Sequence, residues 1–430
     1  MTAFRRPKFL PAKLLPAQLL NVAGAFVTKG AAAAMQFVQS VVLSRFLGAE
    51  ALGIYFFAIS VFRIAEAAAP LGIPMAAVRE VAAAKAHDAW GTVRRITLHA
   101  TLICFVLALA ASAIVWFLAE PVARTFDDQP MAAPAVRWMA LAIVPGCTVV
   151  ALTATLRGLG MQTSSNLLGS LVLPLVATAS FALWLHEASY LGAVHAFILG
   201  QFAAIILLAV YVWRVTRAGH GTDAPTRGLF HQALPFWIIS LASLGNDSLG
   251  VLLLGIFGTP ADAGVFGIAV RLAMPLTFLG SSIQAVYEPR FAGLHRLGDT
   301  QGLRREYALS LRHSMALAGA MAIAMAALAT PLLSLFGAEF VSARPVFLVV
   351  LFGVCLVSAF GPAGSFLAMT SKANYNAWTA IASLPLAGGL MVALIPHYGG
   401  MGVALATSVA LAFRTVVQAT AAAREMRRIG

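Results

Sequence analysis

Charge is what this chain has least of. Only 10% of its residues are Asp, Glu, Lys or Arg, and 16 acidic residues face 29 basic ones. A soluble domain carries about a quarter charged residues. With 60% of the chain apolar and a mean hydropathy of +0.87, a water-exposed surface could not be covered. Cysteine is scarcer still: Cys104, Cys147 and Cys355 each fall inside an apolar run and none has metal-ligand spacing. They read as small buried side chains, not as a disulfide framework or a metal site. No nucleotide-binding motif and no paired acid and base at catalytic spacing occurs, so no cofactor and no enzymatic chemistry is expected.

What the chain does have is long apolar runs, each able to cross about 30 Å of hydrocarbon as a helix. Twelve are expected: 17–46, 52–77, 96–118, 132–157, 163–185, 190–213, 230–257, 263–287, 310–335, 343–368, 374–396 and 400–422. Short Gly-containing joints, as at Gly158-Leu159-Gly160 and Gly399-Gly400, leave eleven or thirteen open as alternatives. The fold class is therefore an all-α polytopic membrane protein. The basic start is followed by an apolar stretch too long for a signal peptide, which is expected to be the first, uncleaved span.

The net charge of +13 follows topology. With the N-terminus inside, 21 of the 29 Lys and Arg lie in cytoplasmic segments and helix ends, including Arg79, Arg94, Arg95, Arg290, Arg304 and Arg305. Only Arg45, Arg124, Arg137 and Arg344 lie outside. This is the positive-inside pattern, and it places both termini in the cytoplasm. Affinity for anionic lipid headgroups is expected from it, and no nucleic-acid partner.

The two halves also repeat one another. Gly48, Gly53 and Tyr55 correspond to Gly258, Gly264 and Phe266, Arg79 to Arg290, Arg94-Arg95 to Arg304-Arg305, Pro121 to Pro331 and Gly192 to Gly402, at an offset of 210 or 211 throughout. Duplicated halves predict two parallel six-helix lobes around a shared cavity, as in many secondary transporters. The expected division is a cytoplasmic segment 1–16, an N-lobe 17–213, a linker 214–229, a C-lobe 230–422 and a tail 423–430.

A charge near the bilayer centre costs at least about 2.5–3.5 kcal/mol, so it persists where it faces a cavity or a partner. Lys29 in span 1, Arg63 and Glu66 in span 2, Asp247 in span 7 and Arg271 in span 8 are such charges, and all lie on the first two helices of a repeat. Gln36 and Ser40 follow Lys29 within about 40° on the helix wheel, and Ser240 and Ser243 share a face with Asp247. The simplest arrangement points four polar stripes into one water-accessible cavity. Three basic groups against two acidic ones suit a ligand carrying phosphate or pyrophosphate, since Arg grips phosphate through a planar fork. Lys29, Arg63, Arg271, Gln36 and Ser40 are therefore expected to bind substrate. Glu66 and Asp247 are expected to load H+ or Na+. The plainer alternatives are an internal Arg63–Glu66 ion pair three residues apart and a structural Asp247–Arg271 pair. Arg414, in the inner half of span 12, is expected to snorkel towards the cytoplasm.

Arg45-Phe46-Leu47-Gly48, then Gly53-Ile54-Tyr55 and Leu71-Gly72-Ile73 leading to Arg79, resembles the opening of Wzx-like polysaccharide-export flippases. These belong to the superfamily that also holds MATE exporters and the lipid II flippase MurJ. Asp247, Gly264-Val265-Phe266 and Arg271-Leu272 are similar to that family's pattern in spans 7 and 8, with Phe266 where the family more often has Tyr. The resemblance implies a V-shaped, two-lobed protein whose spans 1, 2, 7 and 8 line a central cavity. It implies a bacterial inner-membrane flippase that turns an undecaprenyl-pyrophosphate-linked oligosaccharide from the inner to the outer leaflet. Expected partners are that lipid-linked oligosaccharide, membrane lipids, and polysaccharide polymerase or chain-length machinery. A cation-coupled MATE-type drug exporter is the alternative transporter reading, and a membrane-embedded sugar ligase or glycosyltransferase the alternative from another class.

Overall fold

The computed structural model describes residues 15–124, 132–183, 189–219, 248–370 and 373–428, together with 233, 234, 236, 237 and 240. Among these the chain is helical almost throughout, as a lipid environment requires of backbone groups that find no water. In the first half run α1 (Leu15–Ala68), α2 (Ile73–Ala86), α3 (Trp90–Arg124), α4 (Ala132–Leu141), α5 (Ile143–Gly158), α6 (Gln162–Asn166), α7 (Val172–Leu183) and α8 (Tyr190–Ala218). The second half holds α9 (Leu249–Phe257), α10 (Pro260–Leu297), α11 (Thr300–Ala327), α12 (Ala329–Ser334), α13 (Arg344–Met369) and α14 (Ala373–Arg428).

Two of these helices are hairpins. A straight helix of the 54 residues of α1 would be about 80 Å long, far more than one bilayer crossing. It turns at Gly48, whose φ of 72° and ψ of 176° only glycine adopts easily, and α14 turns at Gly399 (φ 51°). Nine stretches of the described residues are long and apolar enough to cross a membrane. Two of them contain these turns, and α9 is too short to cross by itself, so the described residues hold at least nine of the expected spans.

Two expectations about boundaries need correction. Span 2 is not one helix over 52–77: it stops at Ala68 and restarts at Ile73, with Leu71 (φ 49°) and Gly72 (φ 76°) in the left-handed region. Pro70, which lacks an N–H, stands at the break. The expected cytoplasmic loops 79–95 and 288–309 are mostly helix. Residues 87–89 join α2 to α3, and Gly298-Asp299 joins α10 to α11, with Gly298 (φ 68°) closing one helix and the Asp299 carboxylate accepting from Gly302 N at 2.8 Å to start the next. Hydropathy marks where an apolar run ends, and these helices continue past that point.

The halves meet chiefly where α1 packs along α10. At the end expected to face outside, the matching segments of the two repeats touch each other. A Cβ on Gly53 would stand 1.8 Å from Pro260 O, and one on Gly264 would stand 2.2 Å from Ala49 O. Pro260 is the repeat counterpart of Ala49 and Gly264 that of Gly53, so one contact is made twice by a pseudo-twofold. Small residues four apart let the two backbones approach this closely. Phe37 against Phe336 (centroids 5.4 Å) and Arg45 Nε donating to Leu335 O (2.7 Å) extend the seal. Beside it, span 2 contributes the fully buried Tyr55, Phe56, Phe57 and Phe62 to the core.

Candidate functional site: a basic face between the two lobes

Arg271 is fixed by the crossing of α1 and α10. Its guanidinium carbon lies 3.6 Å from the centroid of the Phe56 ring, and its NH1 donates to Gly267 O at 3.2 Å. Gly267 makes the stack possible, because a Cβ there would stand 2.3 Å from Phe56 Cδ2. Such a cation–π contact contributes about 0.5–2 kcal/mol and leaves the outer N–H groups of the fork free to donate. Tyr55, Arg63 and Arg271 lie close enough to act on one another electrostatically. One arginine from each repeat thus faces the same part of the interface, where Arg63 is already paired with Glu66.

Arg63 reaches that face from span 2. Its NH1 pairs with Glu66 Oε2 at 3.0 Å, so the internal ion pair expected as an alternative is formed. The two ends of the pair differ in exposure: the Arg63 side chain is 46% accessible and that of Glu66 only 12%. Glu66 tucks against α5 at Gly146, where a Cβ would stand 2.9 Å from Glu66 Oε1. The carboxylate therefore anchors an arginine whose remaining donors are open to a ligand.

On span 1, Lys29 and Gln36 are exposed, and Lys29 makes no ion pair or hydrogen bond among the described residues. Lys29 emerges beside a contact between the lobes, since Phe26 packs on Phe278 (centroids 5.0 Å) and Gly30 lies against the same ring. Ser40 is buried and its hydroxyl is committed to Gln36 O at 2.8 Å. Ser240 and Ser282 likewise donate to Phe236 O and Phe278 O, so these hydroxyls serve their own helices. Asp247 and Ser243 lie outside the described residues.

Three features of this region were not anticipated. Trp237 Nε1 donates to Ala68 O at 2.8 Å, reinforcing a carbonyl at the break in span 2 that otherwise accepts only a long bond from Leu71 N at 3.4 Å, while Gly72 admits the backbone of Ala233 and Trp237. Asn166 Nδ2 donates to Ala25 O at 3.0 Å, tying span 1 to span 5 at a π-turn over Leu167–Leu171. Arg414 lines a pocket inside the second lobe with Glu288. No periodicity signals these contacts, because each depends on which helices are neighbours.

A duplicated helical bundle with charged residues where its halves meet defines a membrane transporter. Its fold is that of the MATE exporters. The chain superimposes on a multidrug resistance MATE family transporter, solved in an inward-facing conformation, with a TM-score of 0.75 at 15% identity, over 92% of this chain and 94% of the other. A superfamily transporter from Pyrococcus furiosus Vc1, whose binding pocket is described as reversed in polarity, matches with a TM-score of 0.66 at 14% identity, over 95% and 96%. The family model for polysaccharide biosynthesis protein matches residues 19–295, and the chain belongs to that family. Stage V sporulation protein B of Bacillus subtilis is 29% identical over 207 residues, 46% of this chain and 38% of that relative's own length. The protein is thus a member of the polysaccharide biosynthesis protein family with the fold of the MATE exporters.

Proposed function

We propose that this protein is a flippase for an undecaprenyl-pyrophosphate-linked oligosaccharide, carried from the inner to the outer leaflet of the bacterial inner membrane by alternating access. The observation that carries the reading is the convergence of Arg63 and Arg271 from the two repeats. A diphosphate presents several acceptor oxygens and enough charge to hold both forks, while the sugar and lipid need only a lateral opening between lobes. Lys29 and Gln36 are assigned to the same cavity wall, Lys29 as a third phosphate ligand, with Ser40 behind them holding its own helix. Glu66 and Asp247 are assigned to ion coupling by H+ or Na+. The N-lobe 17–213 and C-lobe 230–422 are the two rocking bodies, joined by the linker 214–229, with the segment 1–16 and the tail 423–430 in the cytoplasm. Polymerase or chain-length machinery would receive the product outside.

A MATE-type exporter of cationic drugs is the competing reading, and the sign of the charges separates them. Such a cavity needs a surplus of carboxylates, and of the two candidates Glu66, which lies among the described residues, is already paired with Arg63. The test is export of a surface glycan by Lys29→Ala, Arg63→Ala and Arg271→Ala at unchanged protein level. Each is expected to reduce export, and the deletion strain to accumulate the lipid-linked oligosaccharide on its cytoplasmic side. Normal export by all three variants would remove the basis of the proposal.

A further inference from the structure

Away from the basic face, the inner end of the second lobe encloses a pocket of about 140 Å³ between α10, α13 and α14. Space of that size holds several waters where polar groups line it. Its polar lining is Gln284 and Glu288 from α10, Ser365 from α13, and Arg414, Thr415 and Gln418 from α14. Glu288 and Arg414 face the same void without forming an ion pair, and among the described residues Glu288 is held only by Ser365 Oγ, 2.8 Å from its Oε1.

We propose that this pocket is a proton-binding site, with Glu288 as the group that takes the proton and Arg414 as its internal counter-cation. Three observations lead there. First, the Ser365 hydroxyl has one hydrogen but sits between two acceptors, Glu288 Oε1 and Gln284 Oε1 at 3.1 Å. The Gln284 amide nitrogen is directed at Gly361 instead. A proton on Glu288 completes the chain: carboxyl to Ser365, Ser365 to Gln284. Second, a guanidinium in the same void repels a metal cation, whereas a proton merely neutralises the carboxylate. Third, the ionised state has its own partner across the pocket. Losing the proton to pocket water leaves a carboxylate that Arg414 can approach, drawing α14 towards α10. The helix it closes on, α10, also carries Arg271, 17 residues before Glu288, about 26 Å along the axis.

The nearest other carboxylate and the histidine beside this helix are engaged, while His295, Arg296, Arg305 and Arg312 on α10 and α11 do not line the pocket. From α11, His313 bonds Tyr287 at 2.6 Å and Glu306 pairs with Arg290 at 3.0 Å. α13 contributes only Ser365 and apolar or glycine residues to the lining. The inference rests on reading the chain as a transporter that changes shape, and is independent of what it carries.

The test is pH-difference infrared spectroscopy on the full chain in lipid nanodiscs, with spin labels at the exposed Leu297 and Arg424 reporting the spacing of α10 and α14. Acidification is expected to produce a protonated-carboxyl band that Glu288→Gln lacks and Glu306→Gln keeps. Label spacing should widen on acidification in the wild type and stay wide at every pH in Glu288→Gln. In Arg414→Gln the band should appear at higher pH than in the wild type, because the counter-cation is lost, and Arg414→Lys should restore the wild-type midpoint. Absence of the band from the wild type, or its persistence in Glu288→Gln, overturns the proposal. If Glu288→Gln does not fold, an unmoved midpoint in Arg414→Gln overturns it. Because no substrate is used, these outcomes stand apart from success or failure of the flippase reading.

Discussion

Replacing Gly264 by Ala tests whether the seal between the repeats is a gate. The new Cβ would stand 2.2 Å from Ala49 O, where 3.4 Å or more is ordinary contact. Both clashing atoms belong to rigid backbone or sit directly on it, so no side chain can rotate away. The helices must part by roughly 1 Å, at the 1–3 kcal/mol typical of overpacked interfaces. The gain in helix propensity, about 1 kcal/mol, is common to open and closed states and cancels. The closed state alone is therefore penalised. With 1.4 kcal/mol per decade, the open-to-closed ratio should rise roughly 5- to 150-fold. Gly53→Ala, with its Cβ 1.8 Å from Pro260 O, should do at least as much, since the contact is the same one seen from the other repeat. The assay is the distance distribution between spin labels at Glu50 and Ala261, exposed positions that are repeat counterparts, in a protein with its three cysteines replaced by Ala. Both variants should shift population to longer distances. Unchanged distributions in two well-folded variants would refute the claim that this contact closes one side of the cavity.

Further expectations are equally local. Phe56→Leu removes the ring beneath Arg271 and should lower thermal stability in detergent, by about 0.5–2 kcal/mol beyond the loss seen in Phe57→Leu, whose ring is equally buried but has no Arg271 above it. Trp237→Phe takes the donor from Ala68 O and should cost about 1 kcal/mol, read from the unfolding midpoint; no change would mean that water replaces the indole. Asp299→Ala removes the cap of α11 and should cost about 0.5–2 kcal/mol, with Asp299→Asn recovering most of it.

Much of this architecture was legible in one dimension. Apolar run length set the number of crossings, because a helix in lipid must satisfy its own backbone and span a fixed thickness. The repeat offset tied Gly53 to Gly264 and placed Arg63 near the counterpart of Arg271. Five rare charges identified the helices to watch. Helix ends were less readable, as α10 and α11 show: both continue past the lipid boundary that hydropathy detects. The break at Pro70–Gly72 was hidden inside an apolar run that looked continuous.

Which faces meet was decided only by the tertiary structure. The sequence by itself determined an all-helical membrane protein, its duplication and its basic surplus, since these depend on composition and spacing along the chain. It could not show that the equivalent glycines face one another, that Gly267 exists to seat Phe56 under Arg271, or that Arg414 shares a pocket with Glu288. Those contacts join residues up to 215 positions apart, as Phe56 and Arg271 are. Their energies depend on distances of a few ångströms, fixed only once helices pack. A chain's pattern selects the elements and their polarity, and packing selects the neighbours that give each charge its chemistry.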